Sequence, residues 1–188
     1  VRMTIYRSGN GKYLPQSNTA SWLATIERPS TDKFELNEKG ISIGIFEEFS
    51  KTVDKFSNFK NLHCQISIQA SIFAQEKKFS DVLVLNSNHE IIESTYSNVF
   101  LVKDGALYTP KLSAGPVGGV MRAAVINLAI ELGVKVYECN LHAQELLKAD
   151  EVFLTNAVSG IQWVASYRTK RYFNNTANTL LKAFNSRI

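Results

Sequence analysis

The sequence predicts a mixed α/β fold, on three observations. Apolar stretches of strand length recur from the first residues to about Tyr167. Helical spacing replaces them in several segments, and glycine or asparagine turns separate the two kinds of pattern. No repeat, low-complexity segment or composition shift marks a linker.

The elements follow in order. VRMTIYR, SWLATIE and ISIGIF alternate or run apolar over strand lengths, with GNG and NEKG as turns between them, so the first third reads as mostly β. From Cys64 to Lys78 apolar residues (Ile68, Ile72, Phe73) recur at helical spacing, and Ser80-Asp81 leads into the strand DVLVLN. SNHE turns the chain into HEIIESTYSNVFLV, and Asp104-Gly105 turns it again before ALYTP. Gly115, Gly118 and Gly119 then precede a strongly amphipathic helix that Gly133 ends, followed by the strand VKVYE. A short helix (AQELLKAD), the strands EVFLTN and IQWVASY, and a last helix from about Ala177 complete the pattern.

At 188 residues and 45% hydrophobic the chain suits a globular protein with a sizeable core rather than a disordered one. No apolar run of membrane-spanning length and no charged-then-apolar leader occurs, which makes the cytoplasm the expected compartment. The net charge of +4 is scattered, without the basic stripe and aromatic platforms of a nucleic-acid binder, and it suits an anionic small molecule. Cys64 and Cys139 read as small buried residues, with no disulfide framework and no metal knuckle.

Four places carry candidate chemistry. Glu93 follows Ile91 and Ile92 in a stretch suited to a buried strand, so either it faces water or it has a partner. Lys60, one of fourteen lysines, stands between Phe59 and Leu62 and near Cys64 and Ile66; an apolar setting can make a lysine a neutral nucleophile able to form a Schiff base. Gly118-Gly119-Val120-Met121 opens a helix whose unpaired N–H groups make an anion site, although it is neither a dinucleotide fingerprint nor a P-loop, and alone it also reads as a plain turn. Thr155-Asn156-Ala157 ends an apolar strand, where ligands bind in α/β folds; the alternative is a turn in which Asn156 bonds its own backbone. His63, His89 and His142 have no nucleophile or metal-ligand spacing around them.

SNFKNLHCQISIQAS, LVLNSNHEIIESTYSNVFLV, YTPKLSAGPVGGVMR and ADEVFLTNAVSGIQWV, in that order and at about those intervals, resemble the fold-type IV pyridoxal-phosphate enzymes, the class IV aminotransferase family. The resemblance covers about residues 1 to 165. It implies a D-amino acid aminotransferase-like fold: the end of a small β-rich N-terminal domain in residues 1–30, whose beginning is expected upstream of Val1, and a large cofactor-binding pseudo-barrel domain in residues 31–188. By resemblance Lys60 holds pyridoxal 5'-phosphate and moves the substrate proton, and Glu93 pairs with the pyridine nitrogen. Asn98 holds the loop, Val120 and Met121 offer backbone amides to the phosphate, and Asn156 with Ala157 forms the other half of that clamp. Arg7 matches an arginine near the substrate carboxylate.

GVMR and the Asn156-Ala157 pair are similar to aminodeoxychorismate lyases, which form 4-aminobenzoate and pyruvate in the folate pathway. Gln65 stands where branched-chain enzymes have tyrosine, and Ala157 where many aminotransferases have threonine. His63 replaces the asparagine usual in the lyase branch, and the family's upstream phosphate-binding arginine is absent from the chain. The resemblance thus implies a lyase of this branch, with a branched-chain or D-amino acid aminotransferase as the alternative and a non-catalytic phosphate-ligand binder as a second. It implies a homodimer acting on a carboxylate-bearing amino substrate, with no metal, nucleic-acid or membrane partner.

Overall fold

A computed structural model describes residues 1–28 and 32–187. The chain divides into two compact units, Val1–Asp32 and Lys33–Ile188. The expected domain boundary between residues 30 and 31 lies outside the described residues. In the first unit β1 (Arg2–Arg7) and β2 (Ala20–Thr25) form an antiparallel ribbon.

The second unit runs β3 (Ile41–Lys51), α1 (Gln65–Glu76), β4 (Asp81–Asn86), β5 (Ile91–Ser94), β6 (Asn98–Lys103) and β7 (Ala106–Pro110). A 3-10 turn (Leu112–Ala114) leads to α2 (Val120–Glu131), β8 (Val136–Cys139), α3 (Ala143–Lys148), β9 (Glu151–Asn156), β10 (Gly160–Tyr167), β11 (Lys170–Arg171) and α4 (Asn175–Asn185). The strands make one mixed sheet in the order β5-β4-β3-β10-β9-β6-β7-β8, with β11 on β10. Parallel pairs occur at β3–β4, β3–β10 and β7–β8, the first and last of them bridged by α1 and α2. The amide of Ile91 in the edge strand β5 donates to the carbonyl of Leu141, just past the other edge strand, so the sheet curls toward a closed pseudo-barrel.

Curling explains why the strands read as continuous apolar runs. Leu83, Leu85, Val99, Leu101, Val152 and Leu154 point inward to one core with Ile43, Ile91 and Val164. Their alternates point outward: Phe100, Val102 and Phe153 pack with Met121, Val125 and Leu128 of α2 and Leu180 and Leu181 of α4, while Val82, Val84 and Ile92 pack with Ala70 and Ala74 of α1. A strand buried on both faces has no polar side. The glycine that ends α2 is Gly133, at φ +76°, with the Val134 amide bonded back to the Ala129 carbonyl.

Three expectations need correction. The helix after the glycine loop is less one-sided than its spacing predicts, because apolar Val120 and Ile130 are exposed beside the buried stripe of α2. Cys64 is exposed rather than buried, since it immediately precedes α1 at the edge of a cavity, and Cys139 is half-buried. Strand β3 runs on past the predicted Ile41–Phe46 through the exposed residues 47–50 to Lys51, because pairing with β4 resumes at Lys51 after a bulge. Among the described residues no helix is long and apolar enough to cross a membrane.

Candidate active site

A cavity of about 770 Å³ opens in the second unit. Lys60, Glu93, Asn98, Val120, Met121, Asn156 and Ala157 all line it, so seven residues spread over nearly a hundred positions face one space. Arg7 lies in the first unit, on β1, where its guanidinium bonds the side-chain oxygen of Asn18.

Glu93 reaches the cavity through a β-bulge. Val84 pairs with Glu93 and Leu85 with Ile91, which leaves Ile92 as an extra residue. Strict alternation would turn Glu93 to the inner core with Ile91. The bulge instead places it opposite Val84, which lines the cavity. The carboxylate is buried and bonded through both oxygens: its Oε1 accepts from Lys51 Nζ at 2.7 Å, and its Oε2 accepts from the Val117 amide at 2.7 Å. Lys51 Nζ also donates to the Ser57 carbonyl at 3.2 Å. The choice between water and a partner therefore resolves to partners, one of them a lysine that periodicity did not single out.

The glycine loop is held from several sides. Asn98 Nδ2 donates to the Val117 carbonyl at 2.7 Å, so Glu93 and Asn98 grip the two peptide groups of one residue. Asn58 Nδ2 donates to the carbonyls of Leu112 (2.8 Å) and Pro116 (2.7 Å), and the Gly118 amide donates to the Asn58 carbonyl at 2.9 Å. Glycine is required at 119 by close approach, because a Cβ there would strike Asn98 Oδ1. Beyond it α2 begins without a side-chain cap, and the first-turn amides of Val120 and Met121 have no carbonyl one turn back within the helix. These amides and the positive helix end favour an anion at the cavity wall.

On the opposite wall Asn156 ends β9. Its Oδ1 accepts from the amides of Val158 (2.8 Å) and Ser159 (2.7 Å), and its Nδ2 donates to Ser97 Oγ at 3.0 Å. The turn alternative is therefore present in fact, and it stitches the end of β9 to the segment between Glu93 and Asn98. Beneath that segment Asp81 is buried, accepting from Thr95 Oγ1 (2.7 Å) and the Val82 amide (2.8 Å); burial pushes its carboxyl above the usual range.

Lys60 sits in the loop before α1 and reaches the cavity from its rim. Phe59 and Leu62 are mostly exposed, so the apolar neighbours expected to desolvate Lys60 do not do so within this unit. Sequence reasoning missed Lys51, Asn58 and Ser97. The only signal for Lys51 was the demand that a buried acid have a cation.

A family model described as Amino-transferase class IV matches residues 1–167. The chain belongs to the class IV aminotransferase family. Members are pyridoxal-phosphate-dependent enzymes. This family member is 41% identical over 93 residues to a probable branched-chain-amino-acid aminotransferase of Thermotoga maritima, covering 50% of this chain and 34% of that protein. It is 28% identical over 163 residues to the aminodeoxychorismate lyase of Vibrio harveyi, covering 86% of this chain and 60% of that one. The crystal structure of the 4-amino-4-deoxychorismate lyase of Pseudomonas aeruginosa superposes with a TM-score of 0.80 at 25% identity, over 96% of this chain and 67% of that chain. The chain thus spans about a third and three-fifths of the two curated relatives.

The cavity fits the family's cofactor chemically. It offers an amine on the rim (Lys60), a buried carboxylate for a ring nitrogen (Glu93), and unpaired helix-end amides for a phosphate (Val120, Met121). Its size lies in the range of small-molecule sites.

Proposed function

We propose that this chain contributes the cofactor-binding part of a pyridoxal-phosphate-dependent enzyme of the 4-amino-4-deoxychorismate lyase type. The observation that carries the reading is the convergence of Lys60, Glu93 and the amide-bearing turns at Val120-Met121 and Asn156-Ala157 on one cavity. Lys60 Nζ would hold the cofactor covalently and then take the proton from the substrate carbon that bears the amino group. Glu93 would accept a hydrogen bond from the ring nitrogen, and the helix-end amides would hold the phosphate. Pyridoxal phosphate, when bound, supplies an electron-poor ring that accommodates the electron pair left by that proton. Asn98 positions the glycine loop. Arg7 is proposed to meet the substrate carboxylate, within an N-terminal domain that residues 1–30 would end.

The lyase reading is favoured over a branched-chain or D-amino acid aminotransferase by the longer match to the Vibrio lyase and by the GVMR and Asn156-Ala157 signatures. A homodimer in the cytoplasm is the arrangement the family resemblance supports. The test incubates the full-length protein with aminodeoxychorismate, and separately with branched-chain or D-amino acids plus 2-oxoglutarate. Formation of 4-aminobenzoate and pyruvate without an amino acceptor is expected. Strict dependence on the acceptor would replace the lyase with a transaminase, and loss of neither activity in Lys60→Ala would remove Lys60 from its role.

A further inference from the structure

Lys51 is the cavity's second lysine, and the proposed chemistry above gives it no task. Its contact with Glu93 is direct, and both side chains are largely withdrawn from water, at 22% and 11% exposure. Asp54, the other carboxylate on the cavity wall, is committed elsewhere: it accepts from the Phe56 amide at 2.7 Å and from Ser57 Oγ at 3.2 Å. Lys60, His63, Cys64 and Tyr96 are the remaining titratable side chains lining the space.

We propose that Lys51 is a positioning residue that holds the Glu93 carboxylate aimed into the cavity, beside a cation, where it can keep the proton of the cofactor's ring nitrogen in place. The inference depends on Glu93 being the partner of that nitrogen.

Three steps lead to it. A carboxylate this deeply placed favours its neutral form unless donors compensate it, and here one donor is a full cation. Each carboxylate oxygen has two lone pairs, so Lys51 and Val117 leave one on each oxygen for a third donor. Lys51 touches the carboxylate at 2.7 Å, and a ring nitrogen bonded to a remaining lone pair would lie farther from the ammonium than the carboxylate does. The cation therefore stabilises the carboxylate charge more than it opposes a charge on the nitrogen, because Coulomb interactions weaken with distance. Without Lys51 the carboxylate would lose its fixed aim, the ring nitrogen would lose the partner that keeps its proton, and the ring would draw electrons less strongly. The Ser57 carbonyl fixes the ammonium in this role, since it gives Lys51 a second acceptor on the β3–α1 connection.

The experiment loads the full-length protein with pyridoxal phosphate carrying 15N in the ring. Wild type is compared with Lys51→Met, Lys51→Gln and Lys51→Arg by the 15N shift of the ring nitrogen and by kcat and KM. Wild type and Lys51→Arg should show a protonated nitrogen. Lys51→Met and Lys51→Gln should shift toward the neutral value and lose about tenfold in kcat, with KM little changed. Lys51→Gln keeps a hydrogen bond without the charge, so it isolates the cation even if Lys51→Met folds poorly. A wild-type 15N shift in Lys51→Gln would overturn the proposal. Borohydride trapping with peptide mapping separates the two levels of argument. A label on residue 60 in every variant keeps the site assignment, whereas a label on residue 51 in wild type would defeat that assignment instead.

Discussion

Asn98 offers the sharpest test of how the cofactor cradle is built. In Asn98→Ala the 2.7 Å bond from Nδ2 to the Val117 carbonyl is lost, and that carbonyl keeps only the Gly119 amide, at 2.9 Å. Losing one of two hydrogen bonds to a carbonyl costs about 1 kcal/mol. If the loop must be reordered when cofactor binds, the same energy appears in the affinity as about a fivefold rise in Kd for pyridoxal phosphate. Unfolding should shift by about 2–4 °C for a domain of this size. Stability loss alone could mimic weaker binding, so the control is Glu151→Ala. Glu151 is buried at the start of β9, and its carboxylate accepts from the Thr176 amide at 2.8 and 3.0 Å and the Ala177 amide at 3.2 Å, anchoring α4 outside the cavity lining. Losing these charge-assisted bonds should lower stability by about 2–3 kcal/mol. Both variants should melt early, but only Asn98→Ala should bind cofactor weakly in a spectroscopic titration. Equal Kd values for Asn98→Ala and wild type would refute the cradle argument, as would a Glu151→Ala defect as large as that of Asn98→Ala.

Other outcomes follow from the same geometry. Gly119→Ala should weaken cofactor binding by about tenfold or more, and the double variant with Asn98→Ala should bind no worse than Asn98→Ala alone, since the clash needs both side chains. Asp81, whose carboxyl burial raises above its ordinary value near 3.8, binds its proton more tightly folded than unfolded. It therefore contributes stability at acid pH that is lost as pH rises through the folded value. Urea unfolding between pH 4 and 8 should show Asp81→Asn gaining on wild type as pH rises, and a constant difference would contradict this. Exposed Cys64 should react with iodoacetamide before Cys139, whose thiol burial pushes up, and cofactor should slow the Cys64 reaction because that residue lines the cavity. Mass spectrometry of tryptic peptides reads both rates.

Much of the fold was legible because it rests on burial. DVLVLN, NVFLV and EVFLT are strands packed on both faces, and a continuous apolar run is what such burial demands. The β5 segment was legible only in part. Ile91-Ile92-Glu93 breaks the alternation of a strand because Ile92 is the bulged residue, and a period of two cannot report a bulge from one chain. Lys51 escaped for a related reason: the apolar pattern of ISIGIF stops at Phe46, while pairing with β4 resumes at Lys51 only after a bulge. Asn58 and Ser97 hold backbone and side-chain groups remote in sequence, and such contacts have no local signature. The ordered motifs named residues that line one cavity, but not the bonds among them.

Those bonds decide how the obvious substitution at Glu93 must be interpreted. Glu93 accepts Lys51 on one oxygen and the Val117 amide on the other, and Val117 opens the loop that leads to the helix-end amides of α2. A glutamine has a single acceptor oxygen, so Glu93→Gln can satisfy Lys51 or Val117 but not both, and its amide group then faces a donor. On the proposed assignment the substitution would therefore disturb the ring-nitrogen contact and the phosphate cradle together. Cofactor attachment at Lys60 should survive, while affinity and turnover both fall. Lys51→Gln leaves the Val117 bond and Glu93 itself in place, so it separates the charge from the cradle. If Glu93→Gln lost turnover with unaltered cofactor affinity, the Val117 bond would carry no binding energy, and the coupling between acid and cradle drawn from this geometry would fail.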